Sequence, residues 1–411
     1  MDDVLVIQAA RFGDLIQTRR LILSLQREYE VHLALDRSLA PLAGHVYPGV
    51  VLHKLVFHGN LSQEACRQNS EQFRKLREIG FKAIYNCNFS PLTSAMCRLF
   101  PTELIYGYRP AHDSKGGLLC SPWARLGFRI SGMRRAAPLN LVDFWANFTS
   151  DPVLPESVNP ASCAGGRGIG LAVSGRVERR SLPLDVCAKV LEISWKLLDR
   201  PHVKLFGTSQ ELPKAHKLMR MVSPELANSI RNLCGQTDWP ALLEEMHGLD
   251  LLLTPDTGLM HLAAFMGVPV IAFFLSSACC HETGPYGAGH RIFQSAPACS
   301  PCLESEECPN RIICSVPFSS DLFPRAFARA VQCKPVDSMP GNLQLWRSNF
   351  DDAGLALQML AGRDHFAELR HQARSIIKSY LGLGYREVAD TDLLEKLLPE
   401  SEWMLPARRY C

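Results

Sequence analysis

Asp256-Thr257-Gly258-Leu259-Met260-His261-Leu262-Ala263-Ala264-Phe265-Met266-Gly267-Val268-Pro269 joins an acidic turn to a short helical pattern, with apolar runs on either side. The spacing predicts a buried strand over residues 249–254, a helix of about two turns over 259–266 and a second buried strand over 270–275. Such a unit belongs to a parallel sheet. It aims the N–H groups that open its helix at the carboxyl edge, where they and the helix dipole make a ready site for a phosphate. Taken singly, Asp256 reads equally well as an N-cap, Gly258 as a turn glycine and His261 as a packing residue.

Taken together, the string Asp-Thr-Gly-Leu-x-His-Leu-x-Ala-x-x-Gly-Val-Pro resembles the nucleotide-sugar loop of the ADP-heptose:lipopolysaccharide heptosyltransferases, glycosyltransferase family 9. The resemblance implies a GT-B fold, an α/β architecture of two Rossmann-like parallel-sheet domains facing a central cleft. A second match lies near the start, where a strand-like run over residues 4–10 leads into Arg11-Phe12-Gly13-Asp14-Leu15 and a helical pattern through Leu21, Ile22 and Leu25. Family members open similarly, with Arg-x-Gly-Asp, and their Asp is regarded as the catalytic base. Gly13 would permit a sharp turn, and Asp14 would stand at a helix start toward the crevice, as a cap or as an acceptor of a sugar hydroxyl's proton.

Two further matches follow in the family's order. Residues 169–183 look like its strand, then a small residue and Gly (here Ser174 and Gly175), then Lys-x-Trp-Pro. Aligned on Pro183, Arg180 replaces the phosphate-binding Lys and Leu182 the Trp, with Arg179 a rival by one register. Arginine is no weaker a phosphate ligand, since its fork binds two oxygens. After a strand over 203–206 and Gly207, Glu211 matches a Glu thought to hold ribose or sugar hydroxyls. Walker-type, Gly-x-Gly-x-x-Gly and Gly-x-Ser-x-Gly motifs do not occur, which argues against P-loop, standard dinucleotide and α/β-hydrolase enzymes. No Asp-x-Asp follows a strand, in keeping with a family that needs no metal or other cofactor for catalysis.

At 411 residues, with 47% hydrophobic and 21% charged, the chain suits more than one globular core. A Pro- and Gly-rich connector over 150–168 suggests an acceptor-side domain over 1–155 and a nucleotide-sugar domain over 156–338. Leu355, Leu357, Met359, Leu360, Phe366, Leu369, Ala373, Ile376, Ile377 and Leu381 predict a C-terminal helical extension over 339–411.

The acidic start Met1-Asp2-Asp3 does not read as a secretory signal, and no apolar run reaches the roughly 18 residues of a spanning helix. A cytoplasmic protein is expected. Net charge +3 gives no sign of nucleic acid, while Arg125, Arg129, Arg134 and Arg135 read as a solvated face or as a peripheral contact with an inner membrane and its anionic acceptor.

Fifteen scattered cysteines speak for reduced thiols. Cys299, Cys302, Cys308 and Cys314, separated by two, five and five residues, suit four thiolates around structural zinc or an iron–sulfur cluster. Idle thiols fit equally, and Cys279, Cys280 and His281 are alternative ligands.

The resemblance as a whole implies a metal-independent, inverting transfer of a heptose from ADP-heptose to a hydroxyl of a lipopolysaccharide-type, other glycan or lipid-linked acceptor. Asp14 would be the base. Gly13, Ser174, Arg180, Glu211, Asp256, Thr257, Gly258 and His261 would hold the donor. A GT-B nucleotide-sugar epimerase and a non-catalytic nucleotide-sugar-binding protein are the alternatives, against which Arg-x-Gly-Asp favours transfer.

Overall fold

Apolar runs too long to face water on either side set the architecture, because only strands covered on both faces bury them. The computed structural model describes residues 1–59, 62–110, 118–175 and 177–383. Its described residues divide into two units, one holding Met1–Met133 and Leu141–Val158, the other Arg134–Asn140 and residues 159–383.

In the first unit, β1 (Asp2–Gln8), β2 (Tyr29–Asp36), β3 (Val51–Leu55), β4 (Ala83–Asn86), β5 (Ile105–Pro110) and β6 (Leu118–Cys120) form one sheet in the order β3-β2-β1-β4-β5-β6. All neighbours are parallel except β6, which runs against β5. Leu5 and Ile7 of β1 are fully buried in its core with Ala34, Leu55 and Ile84. The helical pattern after β1 is interrupted: Phe12–Gln17 and Arg19–Leu25 are separate helices. Between them the Thr18 hydroxyl donates to the Leu15 carbonyl at 2.6 Å, as does the Tyr47 hydroxyl, which diverts backbone acceptors from the helix ladder. Arg20 on the second helix meets the fully buried Asp143 of helix Leu141–Ala146 at 2.6 Å.

In the second unit, β7 (Ile169–Ala172), β8 (Val203–Phe206), β9 (Ile230–Asn232), β10 (Leu251–Pro255), β11 (Val270–Phe274), β12 (Arg291–Ser295), β13 (Leu343–Asp351) and β14 (Gly354–Ala361) form a sheet in the order β14-β13-β12-β11-β10-β7-β8-β9. The strands from β7 to β12 are parallel. In both sheets the first strand lies between the second and the fourth, the 3-2-1-4-5-6 order whose reversal opens a ligand crevice at the carboxyl ends. The expected strand–helix–strand unit is present as β10, helix Gly258–Phe265 and β11. Phe273, Phe293, Phe318, Phe323 and Phe327 stack in the core beneath it.

The C-terminal expectation needs correcting over residues 343–361, which form the antiparallel hairpin β13–β14 on the edge of the second sheet. Leu355, Leu357 and Met359 follow a period of two as well as a helical one, and Gly354, at φ 122°, supplies the turn. Leu343 and Leu345 join the second unit's core. Only Ala367–Tyr380 is helical, and residues 384–411 of the expected extension lie outside the described residues. No described helix is long and apolar enough to cross a membrane.

Burial holds the imidazoles of His290 and of His53, the latter beside His32 and Lys75, down at about 4. In the unfolded chain they take protons near 6.5. Acid therefore favours the unfolded state, so stability rises with pH across the window from about 4 to 6.5 and is flat above it. Urea midpoints measured from pH 7 to pH 4 should fall through that window, and a midpoint independent of pH would show these imidazoles to be solvated.

Candidate functional site

The site of the second unit assembles where β7 and β10 end side by side. Beyond β10, Asp256 is 6% exposed and Thr257 adopts an extended N-cap conformation before helix Gly258–Phe265. The Thr257 hydroxyl meets that of Thr254 at 3.1 Å and does not cap the helix, whose Met260 N–H donates to the Thr257 carbonyl at 3.1 Å; an uncapped helix start of this kind suits an anion.

Beyond β7, the chain turns through Ser174 and Gly175 into a 3-10 turn over Glu178–Arg180, and the Gly175 N–H donates to the Ser181 hydroxyl at 2.8 Å. A Cβ on Gly175 would come within 3.1 Å of the Arg180 carbonyl oxygen, so the turn favours glycine. Arg180 delivers its guanidinium to the start of the β10 helix. One terminal nitrogen donates to the Asp256 carbonyl at 3.1 Å and pairs with the Asp256 carboxylate, and the other pairs with Glu304 at 3.1 Å. Its Nε–H is buried and has no partner among the described residues. Thr283 donates to the same Asp256 oxygen at 3.2 Å.

Arg179 points elsewhere, with its guanidinium donating to the carbonyls of Leu303, Glu304 and Glu306. The two adjacent arginines thus face different partners, Arg180 the helix start and Arg179 the backbone of residues 303–306.

Glu211 and Ser174 come together as well. The Ser174 hydroxyl donates to one Glu211 oxygen at 3.2 Å, while the other accepts from the N–H and hydroxyl of Thr208 at 2.7 and 2.6 Å, capping the turn after β8. His261, 6% exposed, is held neutral: burial pulls it down to about 4, with Asp256 opposing and Arg180 assisting.

Asp14 belongs to the first unit. It is the third residue of helix Phe12–Gln17 and half-buried, and its carboxylate accepts the Arg11 N–H at 3.2 Å. Gly13 has helical backbone, so the sharp turn expected of it falls earlier, over Ala9–Arg11, and the glycine is not needed there for its freedom. That turn is pinned by two side chains the sequence reading missed. Asn88 accepts from the Ala9 N–H at 2.5 Å and donates at 2.6 Å to Gln8, which accepts the Ala10 N–H at 3.2 Å. Asn88 lies 80 residues from Gln8, and no local signal marks it.

The basic group is also revised. Arg134 is mostly buried in the second unit, paired with Glu282 at 2.7 Å and bonded to the Ser277 carbonyl, so it is not part of a solvated face. Burial pushes the Glu282 carboxyl up, Arg134 opposes this and Asp256 reinforces it.

The Cys299–Cys314 segment lies against the arginine turn. Burial raises the Cys314 thiol, and Cys302, Cys299 and Cys308 add to the rise against a lowering backbone hydrogen bond at Ser276. Cys308, half-buried, is lowered by the Ile312 and Asn310 N–H groups and by Arg179. Among the described residues, ligand atoms within 4.8 Å of one another occur in the group Asp3, Glu30 and His32 of the first unit, and not among the cysteines. Cys279 donates instead to the Arg134 carbonyl.

Residues 192–312 match the model of glycosyltransferase family 9 (heptosyltransferase). No curated protein matches the chain. Among solved structures, the chain is similar to ADP-heptose lps heptosyltransferase II of E. coli, at 16% identity and TM-score 0.55, over 81% of this chain and 98% of that one. It is also similar to E. coli heptosyltransferase WaaC with ADP, at 13% and 0.51 over 69% and 91%. A family 9 glycosyl transferase from Veillonella parvula DSM 2008 follows at 14% and 0.53 over 71% and 85%. The strand orders agree with these matches: the chain has the GT-B fold and is a glycosyltransferase of which residues 192–312 match the family 9 (heptosyltransferase) model.

Proposed function

We propose that this glycosyltransferase moves a heptose from ADP-heptose to a hydroxyl of a lipopolysaccharide-type acceptor, without a metal and with inversion at the anomeric carbon. One observation carries the reading. The Asp256–Gly258 helix start, inside the matched residues 192–312, has the Arg180 guanidinium set against it, an arrangement suited to a diphosphate. A similar structure was solved with ADP, which supports a nucleotide-sugar donor.

Asp14 takes the proton of the acceptor hydroxyl as its oxygen bonds to the anomeric carbon, and the bond to the diphosphate breaks with its electron pair passing to the departing ADP. Arg180 and the N–H groups at Thr257 and Gly258 stabilise the charge that accumulates there. Glu211 and Ser174, already hydrogen-bonded to each other, hold ribose or sugar hydroxyls. Asp256 fixes Arg180, and the neutral His261 braces the loop. The reaction runs on the cytoplasmic side, in peripheral contact with the inner membrane where a lipid-linked acceptor resides. Cys299, Cys302, Cys308 and Cys314 would hold a structural zinc or iron–sulfur cluster by drawing together thiols that do not group within 4.8 Å here, and the metal would staple their segment and take no part in the chemistry.

Asp14→Asn should cut turnover by roughly 10² to 10⁴ with ADP affinity nearly kept, and near-normal turnover of a folded variant would return Asp14 to capping alone. Calorimetry should show Arg180→Ala weakening ADP by about 1.5–3 kcal/mol, with a smaller effect of Arg179→Ala, whose side chain serves the neighbouring backbone. The reverse ranking would move the diphosphate to Arg179. Elemental analysis of protein purified without oxygen should find about one zinc per chain, or iron with a visible chromophore. A metal-free protein of full thermal stability would leave these cysteines as ordinary thiols.

A further inference from the structure

We propose that Glu304 is a resident anion of the donor site, its carboxylate occupying the arm of Arg180 that the donor's diphosphate takes over. This rests on the diphosphate reading of Arg180. Arg180 has two carboxylate partners of unequal kind. Asp256 is 8% exposed in its side chain, is also bonded to Thr283, and contributes a carbonyl to the same guanidinium nitrogen. It has nowhere to go. Glu304 reaches the other nitrogen from the cysteine segment, at 3.1 Å and with 31% of its side chain exposed, so water is available to it when it leaves.

The three groups together carry one net negative charge, and His261 beside them is neutral. A diphosphate meets that surplus unless Glu304 moves away. The exchange needs no displacement of the chain, because Arg179 grips the carbonyls of Leu303, Glu304 and Glu306 and keeps the backbone of this segment in place. Glu304 thereby holds the Arg180 fork extended and partly neutralised while no donor is present, and sets how tightly an anionic donor must bind to displace it. It acts through Arg180 and is a positioning residue that tunes donor affinity.

ADP titrations of the full chain by calorimetry at low ionic strength test this, with uncharged adenosine as the control ligand. Glu304→Gln should bind ADP about tenfold more tightly, as expected on removing the carboxylate that competes with the diphosphate for the Arg180 nitrogen, and adenosine no differently. Glu304→Asp should stay close to the wild type. In an Arg180→Met background, Glu304→Gln should bring no gain. Equal or weaker ADP binding by Glu304→Gln, or a gain that persists without Arg180, would overturn the proposal while leaving the nucleotide site intact. Failure of the wild type and every variant to bind ADP would instead remove the diphosphate reading, and this inference with it.

Discussion

The buried pair of Arg180 and Asp256 is the constraint around which the second unit's site is arranged. An ion pair this far from water offsets its desolvation only with good geometry and further hydrogen bonds. Both are supplied: the Asp256 carbonyl accepts from the same guanidinium, and Thr283 donates to the carboxylate. The pair joins the turns that leave β7 and β10, two neighbouring strands at the point where the sheet order reverses. Tying those turns together fixes the floor of the crevice that this topology opens.

A second arginine gives the site its wall. Arg179 and Arg180 are adjacent in sequence but divide their work, one holding three carbonyls of the 303–306 segment and the other facing the helix start. The cysteine segment is therefore tied to the same turn as the Arg180–Asp256 pair, through both arginines. A metal bound by these cysteines would act on catalysis indirectly, by setting how firmly the segment presents its carbonyls and Glu304 to the two arginines.

Much of this was legible in the sequence where the signal is local. The β10–helix–β11 unit could be read because two short apolar runs flank a turn and a helical period, and burial on both faces leaves such runs no other use. The C-terminal hairpin was misread because apolar residues at 355, 357, 359 and 360 satisfy periods of two and of nearly four at once, and sheet pairing with β12 decides between them. The break at Thr18 depends on the Tyr47 hydroxyl, supplied from outside the helix. Gln8 with Asn88, and Arg134 with Glu282, are pairs formed across long stretches of chain, which no window of sequence contains.

The departure from the family's Lys-x-Trp-Pro also has a physical account. A lysine ammonium is a point charge, whereas a guanidinium presents separate nitrogens in a rigid plane. Arg180 uses that plane to keep Asp256 on one terminal nitrogen while the other remains with Glu304, a division of partners that a single ammonium could make only by sharing one centre. Leu182, in the place of the Trp, is 7% exposed and packs into the core with Val186 and Leu253, so the altered segment is anchored by apolar burial. The substitutions therefore leave Arg180 held at the start of the helix after β10, with a carboxylate on each of its terminal nitrogens.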